Sequence, residues 1–460
     1  MFSGLRPISR RRTALVGLGA GISVVAAAVA TRNQLHNDAD PPPEDQKPSF
    51  GAGFTHAQDR DAWRDSVRYI GNQTPDGIIR MYWSTRWDTR LRIMSRGPRT
   101  LISLVEGDFV NRANVADVVQ ENVWINLESL FSWYQTDLST PQPVEFIHAE
   151  PHPSPEAIHS VLRTAINFTD EFIRDYLLGR VFSTLTKRHA GDAMRAMTAS
   201  TLVSALYEED ASLLHVASLG NMRAVLGRPR PPAEDGSVVY DVHVLSVDHS
   251  PDNPAERERV QSLHGDEPLF EDGTLLGRPY TRALGDSRLK CSLEVQQRLH
   301  RDYLGPPPDP RVKTPPYLSA EPDISSIKVE SGDFLVLTTS FVPQALTDAE
   351  VVGLLGAWTQ AHGDTLYSTL TEKFPDPPKG LLEPGELPVK ARQKEDRTVF
   401  FRRWGATKEF VNTHPNPAVH IADNAMGGAD EHLRHALLDM PPTESEGNTL
   451  PMGVVVVFFK

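Results

Sequence analysis

The sequence is poor in cysteine and has no excess of positive charge. A single cysteine, Cys291, excludes an internal disulfide framework and a zinc site built from cysteines. With 47 basic and 60 acidic residues the formal charge is −13, so the chain as a whole has no bias towards nucleic acid. Together with its composition, these shortages exclude a secreted disulfide scaffold, a ribonucleoprotein and a polytopic membrane protein.

The chain does contain enough apolar material for a large core. It has 460 residues, of which 39% are hydrophobic and 23% are charged, and this excludes wholesale disorder. Its 37 prolines, about 8% of the chain against a usual ~5%, indicate many ordered loops. There is no internal repeat and no domain-sized break, so we predict one mixed α and β domain over residues 55–460.

The first 37 residues differ from the rest in charge. They contain five arginines, and the first carboxylate is Asp38, a pattern typical of mitochondrial targeting. The uncharged stretch from Thr13 to Thr31 would form a helix of roughly 28 Å, just short of a ~30 Å hydrocarbon core. We predict mitochondrial import, with this stretch either an inner-membrane anchor or part of a cleaved presequence. Secretion is the less favoured alternative, and residues 38–54 are predicted to be a linker.

Hydrophobic periodicity predicts long helices and short strands after the linker. One helix is predicted from Ala113 to about Phe131, and another after the N-cap Ser154, ending at Gly179. The predicted strands are Thr201–Tyr207, Leu213–Ser218, Val238–Val247, Asp333–Thr338 and Val454–Phe459. This order favours antiparallel sheets with helices packed outside over a doubly wound parallel sheet.

Four blocks of sequence, in order along the chain, are similar to blocks of one enzyme family. They are residues 213–228 (LLHVASLGNMRAVLGR), 245–249 (LSVDH), 275–288 (LLGRPYTRALGDSR) and 332–337 (GDFLVL). They resemble the metal-dependent type 2C, or PPM, protein phosphatases, whose blocks read VANxGDSRAVLG, LTxDH, LGLAVTRAFGDxR and the strand before ASDGLWD. Residues 303–322 and the segment from Asp423 to the last strand resemble the family's mitochondrial pyruvate dehydrogenase phosphatase-like branch.

The resemblance covers about residues 65–460 and implies both a fold and a chemistry. The implied fold is α+β, with two antiparallel β-sheets in a central sandwich flanked by α-helices. The implied chemistry is hydrolysis of phosphoserine and phosphothreonine by two divalent cations held by aspartates. Because Mg²⁺ and Mn²⁺ prefer oxygen ligands, the family needs carboxylates at fixed positions.

At the positions that match this metal site, the chain lacks most of the carboxylates. The family's DGH motif supplies a bridging aspartate, a carbonyl ligand and a histidine, and here it corresponds to Glu106, Gly107 and Asp108. In the SDGLWD motif the two aspartates correspond to Ser340 and Gln344. One carboxylate is therefore a methylene longer than the family's, and two are absent.

Three further positions depart from the family pattern. The aspartate of the GDSR motif, which the resemblance assigns to an accessory metal, is Asn221. The RDD motif before the last strand corresponds here to Thr449, Leu450 and Pro451, which carry no carboxylate. The stretch from Asn72 to Trp83 offers only Asp76 for an early Glu-Asp pair. A shift of alignment explains any one of these changes, but several together favour loss of the site.

Other polar groups carry weaker hypotheses. The candidates for a substitute metal site are Asp108, Asp286 and Asp423. Three histidines near the second predicted helix are interpreted as exposed loop residues: His148, His152 and His159. Residues 394–401 imitate the missing RDD motif, but they come before Asp423 and the terminal strand, and this order argues against that role.

The sequence therefore predicts a mitochondrial pseudophosphatase, a PPM-type fold with a binding or regulatory role. Its expected partner is a phosphoprotein, a phosphatase or a kinase, and no nucleic acid is expected to bind. No cofactor is expected, because Glu106 and Gly107 are the only metal ligands that remain at the matching positions. The alternative is an active serine/threonine phosphatase with Mg²⁺ or Mn²⁺ in a rewired site, acting on a mitochondrial phosphoprotein such as pyruvate dehydrogenase. A chain drifting towards loss is a third hypothesis, against which its capped helices and regular strands argue.

Overall fold

The computed structural model describes a defined part of the chain. The described residues are 79–86, 89–107, 115–135, 153–183, 187–303, 305–362, 380–390, 396, 398–412, 414, 416–439 and 452–459. Within them no helix combines the length and the apolar character that crossing a bilayer requires. The predicted targeting segment, its apolar stretch and the linker lie outside the described residues and stay predictions.

The strands are numbered in chain order. They are β1 (Ile79–Arg86), β2 (Thr89–Arg96), β3 (Arg99–Gly107), β4 (Ala199–Glu208), β5 (Leu213–Leu219), β6 (Arg223–Pro229), β7 (Tyr240–Val244), β8 (Phe270–Glu271), β9 (Thr274–Leu275), β10 (Leu284–Gly285), β11 (Asp323–Lys328), β12 (Phe334–Thr338), β13 (Leu381–Leu382), β14 (Phe410–Val411) and β15 (Met452–Phe459).

The α-helices are numbered in the same way. They are α1 (Ala116–Gln135), α2 (Pro155–Glu171), α3 (Leu178–Ser183), α4 (Lys187–Ala196), α5 (Pro254–His264), α6 (Ser287–Lys290), α7 (Leu293–Tyr303), α8 (Val342–Ala345), α9 (Asp348–His362), α10 (Phe400–Trp404), α11 (Pro417–Ala425) and α12 (Glu431–Asp439). A π-helical segment, Phe172–Leu177, joins α2 to α3.

Two antiparallel sheets form the centre of the described structure. The first has the strand order β1-β15-β12-β6-β7, and the second has the order β11-β5-β4-β3-β2 with β10 beside β4. The pairings within both sheets are antiparallel. This confirms the predicted α+β architecture of antiparallel sheets with helices.

The alternation of side chains along β15 shows how the sheets are layered. Val455 and Val457 belong to the apolar cluster between the two sheets, whereas Val454 and Val456 face the helices outside the first sheet. Successive strand residues point to opposite faces, so a strand with a layer on each side is apolar throughout, and all eight residues of β15 are buried. The run of four valines is the sequence signature of this central position.

The second sheet is covered by helices on its other face. Leu202 and Leu206 of β4 pack with Val119 of α1 and with Ile158 and Leu162 of α2. The molecule therefore has four layers in the order helices, sheet, sheet, helices. The side chain of Ser154 accepts a hydrogen bond from the Ala157 amide and caps α2, which confirms the predicted start of that helix.

The structure also corrects the sequence predictions. The helix predicted to stop at Gly179 continues through the π-helical segment to Ser183, because Gly179 does not take the positive φ of a glycine C-cap. Strands β1, β2, β3 and β11 were not predicted, and neither were the two-residue strands β8, β9, β10, β13 and β14. Residues 400 and 401, the end of the segment that imitates the missing motif, begin helix α10, and the terminal strand is Met452–Phe459.

A buried histidine in α11 makes the stability of the first helical layer depend on pH. The His420 side chain is 1% exposed, and its Nε2 donates to the Leu354 carbonyl oxygen at 3.2 Å. Burial lowers the pKa of His420 to about 3, and the nearby His414 and His362 add a smaller effect in the same direction. The folded protein therefore keeps this imidazole neutral.

We expect the free energy of unfolding to decrease as the pH falls from about 6.5 to about 3. In this window the unfolded chain takes up a proton at His420 that the folded chain does not, which costs about 1 kcal/mol per pH unit. Between about pH 6.5 and 3, the free energy of unfolding measured with urea should change less steeply with pH in a His420→Gln variant, by about 1 kcal/mol per pH unit. A His432→Gln variant, which changes an exposed histidine of α12, should keep the slope, and an unchanged slope in His420→Gln would contradict the prediction.

Candidate functional site

Residues that the sequence aligns with the family's metal ligands lie where strands of the two sheets end. Glu106 is the second-last residue of β3, and Ser340 follows the last residue of β12 by two positions. Each strand delivers its side chain to the same end of the sandwich because the two sheets pack face to face. The topology therefore brings these two aligned residues to one place in the fold.

The Glu106 carboxylate and Ser340 are hydrogen-bonded to each other twice. Ser340 donates its backbone N–H to Oε2 of Glu106 at 2.8 Å and its hydroxyl to Oε1 at 2.6 Å. Ser340 is buried and Glu106 is half-buried. Hydrogen bonds to a charged group contribute roughly 1.5–3 kcal/mol each, so this pair fastens β3 of one sheet to β12 of the other.

The backbone around this pair is closely packed. A Cβ atom on Gly453 would lie 2.6 Å from Cγ2 of Thr89, the residue paired with Glu106 across β2 and β3. The Thr339 hydroxyl accepts the Gly453 N–H at 2.8 Å. Only glycine fits at this point of β15, and its neighbours therefore hold the two sheet ends at a fixed separation.

Gln344 lies on α8 and its side chain turns back along its own helix. Its Nε2 donates to the Ser340 carbonyl oxygen at 3.0 Å. Its backbone carbonyl accepts the N–H of Val399 at 3.1 Å. The amide therefore closes the turn into α8, and the residue itself is exposed.

Asn221 lies at the same end of the second sheet, in the turn after β5. Its neighbour Gly220 has φ +105° and packs on Thr201, which is the pairing partner of Glu106 in β4. The Asn221 Nδ2 is 3.5 Å from the Pro279 carbonyl oxygen, and among the described residues its buried Oδ1 has no hydrogen-bond partner. An amide here supplies one neutral oxygen where the family has a carboxylate.

The histidine of the LSVDH block fixes this turn. His249 is fully buried, its Nδ1 accepts the Gly220 N–H at 3.1 Å, and its Nε2 lies 2.7 Å from Oδ2 of Asp323. Since Nδ1 accepts, Nε2 carries the proton and donates it to the carboxylate. This hydrogen bond is the largest influence that lowers the pKa of Asp323. The block thus has a structural role in holding the loop that carries Asn221.

Two aspartates proposed for a substitute site lie in different surroundings. Asp286 is fully buried after β10, and Nε and Nη2 of Arg278 both bind its Oδ2 at 2.7 Å. Asp423 lies on α11, outside the first sheet, with its Oδ2 3.8 Å from Nε2 of His414. The Asp286 carboxylate already forms an ion pair with Arg278, and a metal ion would have to compete with that arginine for it.

Several predicted site residues fall outside the described part of the chain. They are Asp76, Asp108, His148, His152 and Pro451. His159, interpreted from sequence as an exposed loop residue, instead lies within α2 and is partly buried. That interpretation was wrong because the helix begins four residues earlier, at Pro155.

The donors that the described positions offer do not fit a two-metal centre. Over the ranges the structure covers, no group of three or more histidine, cysteine, aspartate or glutamate side chains is arranged to hold a metal ion. The matching positions present one carboxylate, a carbonyl, a hydroxyl and two amides. Two divalent cations bring about four positive charges, and a single carboxylate offsets one of them.

Comparison with known proteins agrees with this architecture. A two-sheet sandwich with outer helices and a polar site at the strand ends is what the resemblance to metal-dependent phosphatases predicts, and residues 159–373 match the family model of protein phosphatase 2C. Over this region, a little under half of its length, the chain is similar to the PPM-type, or type 2C, protein phosphatases.

Its relatives include phosphatases of both general and mitochondrial description. A protein phosphatase 2C homolog of Schizosaccharomyces pombe is 31% identical over 268 residues, covering 57% of this chain and 53% of that protein. The mitochondrial [pyruvate dehydrogenase [acetyl-transferring]]-phosphatase 1 of Saccharomyces cerevisiae is 28% identical over 305 residues, covering 61% and 50%. A serine-threonine phosphatase 2C structure from Toxoplasma gondii aligns with a TM-score of 0.44 and 15% identity, covering 86% of this chain and 98% of that one. The chain spans about half the length of the curated relatives it matches.

Sequence reasoning missed the direct pairing of Glu106 with Ser340. The signal was present in the two substitutions taken together, because one side chain is a methylene longer than the family's aspartate and the other is shorter. The longer carboxylate reaches the hydroxyl and the backbone N–H of the shorter residue. Sequence alone treated the two changes as independent losses.

Proposed function

We propose that this chain is a pseudophosphatase of mitochondria, a PPM-type fold that acts by binding or regulation. The observation that carries the proposal is the double hydrogen bond from Ser340 to Glu106 at 2.8 and 2.6 Å. In the family these two positions hold metal, and here they bind each other. The protein itself therefore satisfies the one carboxylate that remains among the described positions.

The other matching positions support the same proposal. Gln344 uses its side-chain N–H groups on the Ser340 carbonyl, and Asn221 offers one neutral oxygen. Neither amide attracts a divalent cation as a carboxylate does. We infer that the sandwich is maintained as a scaffold while the centre that would supply a hydroxide to the phosphate has been lost.

Its relatives and its N-terminus support a proposal for the location and the partner of the protein. The Saccharomyces cerevisiae relative is described as mitochondrial and as a phosphatase of pyruvate dehydrogenase. The acid-free, arginine-containing first 37 residues support mitochondrial import of this chain as well. We therefore propose a mitochondrial phosphoprotein, or a phosphatase or kinase that acts on one, as the partner.

Calorimetric titration of the full chain with Mn²⁺ tests this proposal. We expect no saturable binding up to millimolar Mn²⁺, because Ser340 already occupies both oxygens of Glu106. The heat should be the same for the wild-type chain, for Glu106→Ala, and for Glu258→Ala, which removes an exposed carboxylate on α5. Saturable binding that disappears in Glu106→Ala but persists in Glu258→Ala would instead support the active, rewired phosphatase.

A further inference from the structure

A row of polar side chains crosses the second sheet at the end remote from Glu106. Arg99 pairs with Glu208 across β3 and β4, and His215 pairs with Ser326 across β5 and β11. All four residues are on the sheet face that α1 and α2 cover elsewhere, since Leu101, Leu206, Ala217 and Ile324 at alternate positions pack into that layer. Glu208 is seven residues along β4 from Thr201, the partner of Glu106, or roughly 23 Å at 3.3 Å per residue.

The members of this row are linked by hydrogen bonds in a fixed order. The Ser326 Oγ lies 2.8 Å from Nδ1 of His215, and Nε2 of His215 lies 3.2 Å from Oε2 of Glu208. The other carboxylate oxygen of Glu208 accepts the Nε–H of Arg99 at 2.8 Å. Hydroxyl, imidazole and carboxylate thus stand in the order of a serine nucleophile, its base and the acid that orients the base.

Burial differs sharply along the row. His215 is fully buried and Glu208 is 8% exposed, whereas Ser326 is an exposed residue on the edge strand β11. Burial raises the pKa of Glu208, but hydrogen bonds from His215 and Arg99 outweigh it and hold that pKa below the usual value. The carboxylate therefore remains charged and orients the imidazole, while the hydroxyl meets solvent.

A second histidine reaches the same hydroxyl from the helix layer. Nε2 of His159, on α2, lies 2.6 Å from the Ser326 Oγ, and its ring meets that of His215 edge-on with centroids 5.7 Å apart. Burial is the main cause that lowers the pKa of His159, and the neighbouring His215 adds to it. A neutral His159 is able to donate its Nε2–H to the serine oxygen while the hydroxyl proton points at His215.

We infer that Ser326 is a nucleophile, and that this chain has an acyl-transfer site for small activated esters, separate from the phosphatase-like site. The Ser326 oxygen forms a bond to the ester carbonyl carbon, and its proton passes to Nδ1 of His215. The carbon–oxygen bond to the alcohol then breaks, and the alcohol leaves with that proton. Water repeats the sequence on the acyl-serine, releasing the carboxylic acid and restoring the hydroxyl.

This arrangement exceeds what a structural role requires. A buried histidine needs partners for its ring nitrogens, and any two polar groups would serve. Here one partner is an ionised carboxylate anchored by an arginine, and the other is an exposed hydroxyl that a second imidazole also contacts. A general base held within hydrogen-bond reach of a nucleophile typically raises the rate of reaction by 10²–10⁴-fold.

Acylation of the full chain by p-nitrophenyl acetate tests the inference directly. Peptide mapping by mass spectrometry should find the acetyl group on Ser326 at least ~100 times sooner than on Ser160, an exposed serine of α2. The release of p-nitrophenol should be lost in Ser326→Ala and unchanged in Ser160→Ala. His215→Gln should slow it by about 100-fold with an unchanged circular dichroism spectrum. Acetylation spread over surface residues, or equal rates in Ser326→Ala, would overturn the inference.

A thiol variant keeps the test decisive if His215→Gln does not fold. Cys291 is the one natural cysteine, and burial raises its pKa to about 11, so it does not react with iodoacetamide near neutral pH. The new thiol of Ser326→Cys should be alkylated at pH 6.5 at least ~10 times faster than that of Ser160→Cys, because the imidazole withdraws its proton. Equal or slower alkylation would show that His215 is not a base for this position, and the inference would fail.

Discussion

Hydrolysis of a phosphothreonine peptide in millimolar Mn²⁺ is expected to be at least about three orders of magnitude slower than by a relative with intact aspartates. The family's reaction depends on carboxylate-bound cations that stabilise the charge of the transferred phosphate. Where those cations would be held, this chain has the hydrogen-bonded pair of Glu106 and Ser340. Losing about 4 kcal/mol of transition-state stabilisation corresponds to three factors of ten in rate.

The matched comparison is between wild-type chain, Glu106→Ala and a restored variant. Wild type and Glu106→Ala should be equally inert, and metal-dependent turnover that disappears in Glu106→Ala would require the pseudophosphatase proposal to be dropped. The restored variant combines six changes: Glu106→Asp, Asp108→His, Asn221→Asp, Ser340→Asp, Gln344→Asp and Pro451→Asp. Partial recovery of Mn²⁺-dependent turnover in it would confirm the alignment of these positions with the family's site.

Removing the cation from a buried ion pair is expected to destabilise the protein by about 3–5 kcal/mol. The Nζ of Lys290, on α6, lies 2.6 Å from Oδ1 of Asp170 on α2, and both side chains are almost completely buried. The same Lys290 Nζ donates to the Ala283 carbonyl oxygen at 2.7 Å, and the Gly285 N–H donates to Asp170 at 2.8 Å. A Lys290→Met variant leaves the Asp170 carboxylate buried without its nearest cation.

Urea unfolding measures this effect against an exposed pair. Arg301→Met removes the cation from a pair with Asp302 in which the arginine side chain is 71% exposed, and it should leave the free energy of unfolding nearly unchanged because solvent screens exposed pairs. A double variant, Lys290→Met with Asp170→Leu, should recover part of the loss, because no charge is then left buried. A loss below 1 kcal/mol in Lys290→Met alone would contradict the prediction. It would show that solvent, or Arg174 with its Nη1 4.0 Å from Oδ2 of Asp170, compensates for the missing ammonium.

The parts of the fold with one strong periodic signal could be predicted from the sequence. The valine run of β15 and the serine-capped start of α2 each combine local propensity with burial, so sequence and structure agree there. Strand β2 was missed although Leu91 and Ile93 alternate with Arg90 and Arg92. Its arginines lie on an edge strand beside α1, where Arg90 pairs with Asp117, and their charge masked the period of two.

The sequence aligned Glu106 and Ser340 with one candidate site but did not predict the contacts between them. Family blocks located Glu106 and Ser340 at strand ends, and the topology brings those ends together. The hydrogen bonds between them depend on the separation of the two sheets, which Gly453 sets through contacts with Thr89 and Thr339. Such a separation is a property of packing across 234 positions of sequence, which no local pattern encodes. The same holds for Ser326 and His215. They are far apart in the sequence and meet because β11 pairs with β5.

The position of β15 has a consequence for how the protein is made. This strand is the last in the described chain, yet it fills the middle of the first sheet between β1, the first strand, and β12. At about 5–20 residues per second, a ribosome needs roughly 20–70 s to proceed from β1 to β15. Until β15 is made, β1 presents an open edge to other nascent chains, and β12 presents a second one once it has been synthesised. A stop codon placed before residue 452 would therefore yield a sticky, aggregating product and not a shortened version of the protein.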